Sequence, residues 1–161
     1  MAPPSGPCNL LNPSGAGELR LPRARVRPPG PAATPSRDLC YNVLLKLRIR
    51  NLTRDKLLAT EAEVADTSKK RRTGLLKRES LPQGEGLWIT PCEAIHTIGM
   101  KFPIDVLFLS RTKKVLKIKE RMPPGRIAVC LWAHSVLELP AGTVAATGTA
   151  VGDQLEFEKV I

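Results

Sequence analysis

The stretch Pro91-Cys92-Glu93-Ala94-Ile95-His96-Thr97-Ile98-Gly99-Met100-Lys101-Phe102-Pro103-Ile104-Asp105-Val106-Leu107-Phe108-Leu109 sets polar chemistry directly against an apolar run. Ile104 to Leu109 is apolar on both faces apart from Asp105, which predicts a central strand covered on both sides. A carboxylate at the mouth of such a strand must be hydrogen-bonded, ion-paired or protonated, because burying it bare is costly. Lys101, His96 and Arg71 are the partners within reach of the sequence argument.

Outward from this centre, Leu45-Lys46-Leu47-Arg48-Ile49-Arg50 alternates aliphatic with cationic residues, the signature of a half-buried strand. The same period returns at Leu116-Lys117-Ile118-Lys119 and Leu155-Glu156-Phe157-Glu158. Val136 to Leu139 predicts a further strand closed by Pro140, with Glu138 facing solvent by the period-2 rule. Gly84-Glu85-Gly86 reads as a tight turn before a strand at Trp88. Asp66 or Thr67 is a helix cap, and a helix of about three turns from there would end near Arg78, with Lys77 and Arg78 in its last turn. A second short helix is expected from Thr143 to Ala146, stopping at Gly148. Together these predict a mainly β fold: a small β-sandwich or partly closed barrel of short strands with one or two short helices.

Residues 1–38 have a different character. They hold nine of the fifteen prolines, four of the twelve glycines and five arginines, with no periodic apolar pattern. Such a segment cannot bury enough surface to offset chain entropy, so a disordered leader is expected there, or translation from a start placed too far upstream. Residues 39–161 are expected to form a single domain. Its core must be aliphatic, since the chain has six aromatic residues in 161. The net charge of +10 is +3 from residues 1–38 and +7 from the rest, so the domain itself is basic. No apolar stretch is long enough to span a bilayer. Cys8, Cys40, Cys92 and Cys130 show neither CxxC pairing nor metal-finger spacing, which fits reduced thiols and a cytoplasmic location.

Several segments also carry a family resemblance. They are Asn51-Leu52-Thr53-Arg54, Ala62 to Thr67, Gly74-Leu75-Leu76, Leu81-Pro82-x-Gly84-Glu85-Gly86, His96-Thr97-x-x-Met100-Lys101-Phe102-Pro103-Ile104-Asp105, Val136 to Thr143, and Gly148-x-x-Val151-Gly152-Asp153-x-Leu155. In order and spacing they resemble the domain-of-unknown-function 192 family, also called the uncharacterised ACR family, over most of residues 43–161. Nothing before Leu39 takes part. The resemblance implies the same mainly β architecture and carries no activity or cofactor with it. It also singles out Arg71, which matches the family's Arg three residues before Gly-Leu-Leu. Two departures, Thr73 where the family often has Arg and Lys77 where many members have Gly, fall at a helix terminus.

Arg71, His96, Thr97, Met100, Lys101 and Asp105 are therefore the expected walls of a polar cleft, with Asp105 orienting Lys101 or His96 and the cations attracting an anionic small molecule or an acidic partner peptide. Other chemistries are open. On a helix, Cys92, His96 and Met100 would share one face and offer soft metal ligands, although a closed site wants four. Cys92 with His96, oriented by Asp105 or Glu138, is the pair a thiol enzyme would use. Against these stand an inert small cysteine and a gap-filling methionine. Lys69-Lys70-Arg71-Arg72 is the strongest cationic run and reads first as a solvated basic face; without an aromatic or zinc-finger motif, nucleic-acid binding is the weaker alternative.

Overall fold

The structure, a computed structural model, describes residues 45–160. The leader expected over residues 1–38 lies outside the described residues. The element order is β1 (Lys46–Asn51), β2 (Lys56–Ala65), α1 (Ser68–Thr73), β3 (Glu85–Ile89), β4 (Ala94–His96), β5 (Ile104–Leu109), β6 (Val115–Met122), β7 (Ile127–Val129), β8 (Ser135–Pro140), α2 (Thr143–Thr147) and β9 (Leu155–Val160).

Seven strands form one sheet in the order β6-β5-β8-β3-β2-β1-β9, and β4 pairs with β7 in a separate two-stranded ribbon. β2 and β3 run parallel, joined through α1, while the remaining pairs are antiparallel. The two edge strands meet only at their ends, where Lys114 bridges Gln154 and the Val115 amide donates to the Asp153 carbonyl at 2.9 Å. The sheet curls but does not close into a barrel.

Side-chain alternation divides the apolar residues into two layers. Val106, Phe108 and Val136 point to one face, where they pack with Leu75, Ile95, Met100 and Ala128 from the α1 turn, the β4–β7 ribbon and the loop after it. Leu107, Leu109, Leu137 and Leu139 point to the other, enclosed by Leu47, Ile49, Leu58 and Leu155 of the curled sheet. All six residues of β5 and all six of β8 are buried, as the apolar run around Asp105 demands. Burying a side chain the size of Phe108 is worth about 2 to 3 kcal/mol, so these two strands are the anchor of the domain.

Three local expectations need correction. α1 is one and a half turns, not three: Gly74 takes φ 45 and ends it, so the last-turn cations are Lys70, Arg71 and Arg72 rather than Lys77 and Arg78. Thr67 does cap it, accepting the Lys70 amide at 3.3 Å. β8 runs through Pro140, which pairs with Ile104, instead of stopping before it. Glu138 does not face solvent; it is 4% exposed, because β8 lies between β5 and β3 with both of its faces covered. β2, for which no strand signal stood in the sequence, lacks strict alternation: its opposing strand β1 shifts register between Leu47 and Arg50, and its buried residues are Leu58, Ala59, Ala62, Val64 and Ala65. α2 matches its expected span within a residue, ending at Gly148 with φ 63.

Candidate functional site

A cleft of about 710 Å³ opens on the first of the two apolar layers. α1 and the turn after it supply one wall through Arg71, Arg72 and Leu76; the loop into β4 supplies the other through Cys92, Glu93 and His96. The floor consists of Ile89 of β3, Glu138 of β8 and Met100. The position of each wall follows from local chemistry. The Gly74 turn folds Leu75 under α1 into the core, and the Cys92 amide is tied to the His134 carbonyl at 2.9 Å, fixing the loop after β3 over the floor.

Glu138 is the residue that sequence reasoning misplaced. Its cross-strand partners are Leu87 and Val106, so no neighbouring strand position offers it a cation. Burial pushes its carboxyl up to about 7, and its Oε2 has no hydrogen-bond partner among the described residues. An unpartnered buried carboxyl is costly. The signal was present in the sequence as a single Glu in the otherwise apolar Val136–Pro140, but reading it required knowing that both faces of that strand are covered.

Arg71 is held in place by its own helix and by the strand beneath. Its Nη1 donates to the Asp66 carbonyl at 2.8 Å and to the Thr90 carbonyl at 3.3 Å, and its Nη2 to Ser68 Oγ at 3.2 Å. These acceptors are all uncharged, and among the described residues no carboxylate forms an ion pair with the guanidinium at the cleft wall. Cys92 lines the same cleft as Arg71 and Glu138. Burial pushes its thiol up, the Glu138 charge adds to that, and Arg71 opposes it. Its Sγ donates to the Ala94 carbonyl at 3.1 Å and not to His96, so the Cys-His pairing needed for a thiol enzyme is not formed. His96 sits on β4 opposite Ile127, exposed at the cleft rim.

Of the six expected cleft residues, the structure brings Arg71, His96 and Met100 to this cleft and places the other three elsewhere. Asp105 is fully buried and spends its carboxylate on three amides: Oδ1 accepts from Arg121 at 2.8 Å, and Oδ2 from Gly142 at 3.0 Å and Val144 at 2.8 Å. It orients neither Lys101 nor His96. The exposed Lys101 pairs instead with Glu79. Thr97 is buried, donating to the Pro123 carbonyl at 2.7 Å and accepting the Arg126 amide at 3.0 Å, so it pins the loop before β7. Cys92, His96 and Met100 do line the same cleft, but from a loop and a strand rather than one helix face. Among the described residues no three His, Cys, Asp or Glu side chains converge as a metal set.

Comparison with known proteins agrees with this architecture. The chain is 30% identical over 116 residues to a UPF0127 protein of Pyrococcus furiosus, an alignment covering 69% of this chain and 98% of that one. It is also similar in structure to a Novosphingobium aromaticivorans protein of unknown function, with TM-score 0.61 and 22% identity over 70% of this chain and 84% of that one. A Sinorhizobium meliloti protein described as a candidate transcription regulator superposes with TM-score 0.62 and 25% identity over 70% of this chain and 92% of that one. No helix among the described residues is long and apolar enough to cross a membrane. Residues 49–157 match the model of the DUF192 family, described as "Uncharacterized ACR", and the chain belongs to that family.

Proposed function

We propose that this protein is a binding module whose cleft between α1 and β4 takes a small anionic ligand or the acidic end of a partner peptide. The observation that carries the reading is Arg71, fixed by neutral acceptors and without an ion-pair partner among the described residues, on the wall of a cleft of about 710 Å³. A cleft of that size with a largely apolar floor and a few oriented polar groups is the usual form of a small-molecule site. Arg72 adds a second cation from the same helix. Catalysis finds less support, since burial holds Cys92 as the thiol and the thiolate is the nucleophile.

The test is a titration of the full chain with hexanoate and with hexyl phosphate, followed by amide chemical shifts. The reading expects perturbations concentrated in residues 68–76 and 91–100 and lost in Arg71→Ala. Shifts scattered over other surfaces, or unchanged by Arg71→Ala, sink it. A cytoplasmic location goes with this reading and is supported by Cys92 and Cys130 being free thiols.

Nucleic acid is the second reading, favoured by the exposed Lys69, Lys70 and Arg72 on α1 and by the description of the Sinorhizobium protein. Lys70 is partly committed to Asp66, at 3.7 Å. This reading expects affinity for duplex DNA that falls steeply with salt, as counterion release requires.

A further inference from the structure

The ligand of this cleft has a second requirement beyond the anionic group that Arg71 attracts, set by Glu138. Arg71 and Glu138 both line the site, with Arg72 and Glu93 beside them on its walls. Arg71 belongs to the helix wall, while Glu138 is on the floor, on a strand with β5 and β3 on either side. They do not form an ion pair, and no other Lys or Arg among the described residues pairs with Glu138 either; Oε2 is left without a partner. Cys92 lines the same cleft, and its thiol responds to both charges in opposite senses. Ile89 and Met100 give the cleft an apolar surface.

The charge pattern selects the ligand. A purely anionic molecule reaching the floor would bring a second negative charge against Glu138. A purely cationic one would have to pass Arg71 and Arg72 at the wall. A molecule that carries both charges close together, with an apolar side chain, offers each residue its partner and can lay the side chain on Ile89 and Met100. We infer that the cleft recognises a free amino-acid zwitterion, with its ammonium against Glu138 and its carboxylate against Arg71. The inference rests on the anion-binding reading of the same cleft and goes further by requiring an amine. The unpartnered carboxyl then has a purpose: a ligand ammonium supplies the hydrogen bonds that the fold withholds, in a setting of low dielectric where they are strong.

Three probes of one carbon skeleton separate the two charges: norleucine, which has both groups, hexanoate, which lacks the amine, and n-pentylamine, which lacks the carboxylate. Each is titrated into the full chain by calorimetry at neutral pH, with wild-type, Glu138→Gln and Arg71→Met proteins first shown to share one circular dichroism spectrum and to be fully folded at the titration temperature. The expected result is that norleucine binds at least about tenfold more tightly than either truncated probe. Glu138→Gln should erase that advantage while leaving hexanoate binding as it was, and Arg71→Met should weaken both hexanoate and norleucine. If hexanoate binds as well as norleucine and Glu138→Gln changes neither, the zwitterion inference is overturned and the anion-binding reading survives. If none of the three binds the wild-type protein, both fall.

Discussion

The carboxylate of Asp105 accepts the backbone amide of Val144 at 2.8 Å, which ties the start of the central strand β5 to the first turn of α2. The same carboxylate holds the amides of Gly142 and Arg121, so one buried side chain closes three backbone segments that have no other means of satisfying those donors. Asp105 is structural for this reason. Its replacement by Ala strands three amides and should cost about 3 kcal/mol or more in urea unfolding, without a specific effect on the cleft. A loss below about 1 kcal/mol would show that the amides find other partners.

Glu138 couples stability to pH. Its carboxyl is raised from 4.5 to about 7 in the folded protein by burial, so the folded state holds a proton that the unfolded chain has released. The stabilisation relative to the unfolded chain is complete below pH 4.5, falls as pH rises through about 7, and is constant above. Over that window the wild-type protein should lose on the order of 3 kcal/mol relative to Glu138→Gln. Denaturant titrations at intervals from pH 4 to 8 measure it. Parallel curves for the two proteins would mean that the carboxyl is solvated after all.

Asp153 acts in the opposite sense and in a different window. Burial alone would push its carboxyl up, but hydrogen bonds from Asn51 Nδ2, the Ala150 amide and Arg54 Nε outweigh that and hold it below 3.8. Its contribution is present above that value and lost as pH falls through the lowered one. Asp153→Asn should therefore flatten the acid limb of the stability curve below pH 4 and leave the neutral limb to Glu138. An acid limb identical in the two proteins would assign acid unfolding to other carboxylates.

The two charges of the cleft are also readable through Cys92. Alkylation by iodoacetamide at pH 8, quantified at that cysteine by peptide mass spectrometry, should be slow because burial raises the thiol. Glu138→Gln removes a charge that raises it and should speed labelling; Arg71→Met removes one that lowers it and should slow labelling further. Equal rates in all three proteins would place Cys92 out of range of both side chains.

The tip after β7 makes a contrasting prediction. Leu131 and Trp132 are 72% and 88% exposed. Replacing both with Ser should change stability by no more than about 0.5 kcal/mol, whereas Phe108→Ala, in the core under β5, should cost about 3 to 5 kcal/mol. A large loss from the tip substitutions, seen in the melting temperature, would show that the loop is packed.

How much of this was legible differs from residue to residue. That Asp105 needed a partner followed from the apolar run around it, but its partners are amides of β6 and of the start of α2, 16 to 39 residues away, and only the closed chain could name them. Arg71 was singled out by family resemblance and His96 by its chemistry, and both reach the cleft. Glu138 was misread because a period-2 rule assumes one dry face, and β8 has two. β2 escaped the same rule because the register shift in β1 disturbs its alternation and alanines give weak hydropathic contrast.

The sequence by itself determined the local features: the alternation that makes β1 and β9 half-buried strands, the continuous apolar run of β5, the Thr67 cap, and the glycine stop of α2. Each depends on residues a few positions apart, whose geometry the backbone sets directly. Tertiary structure decided which strands have neighbours on both sides, and with that the burial of Glu138, the diversion of Asp105 to backbone amides, and the placing of Arg71 and Glu138 in the lining of one cleft. Those outcomes depend on desolvation and on partners far away in the chain, which no local pattern encodes.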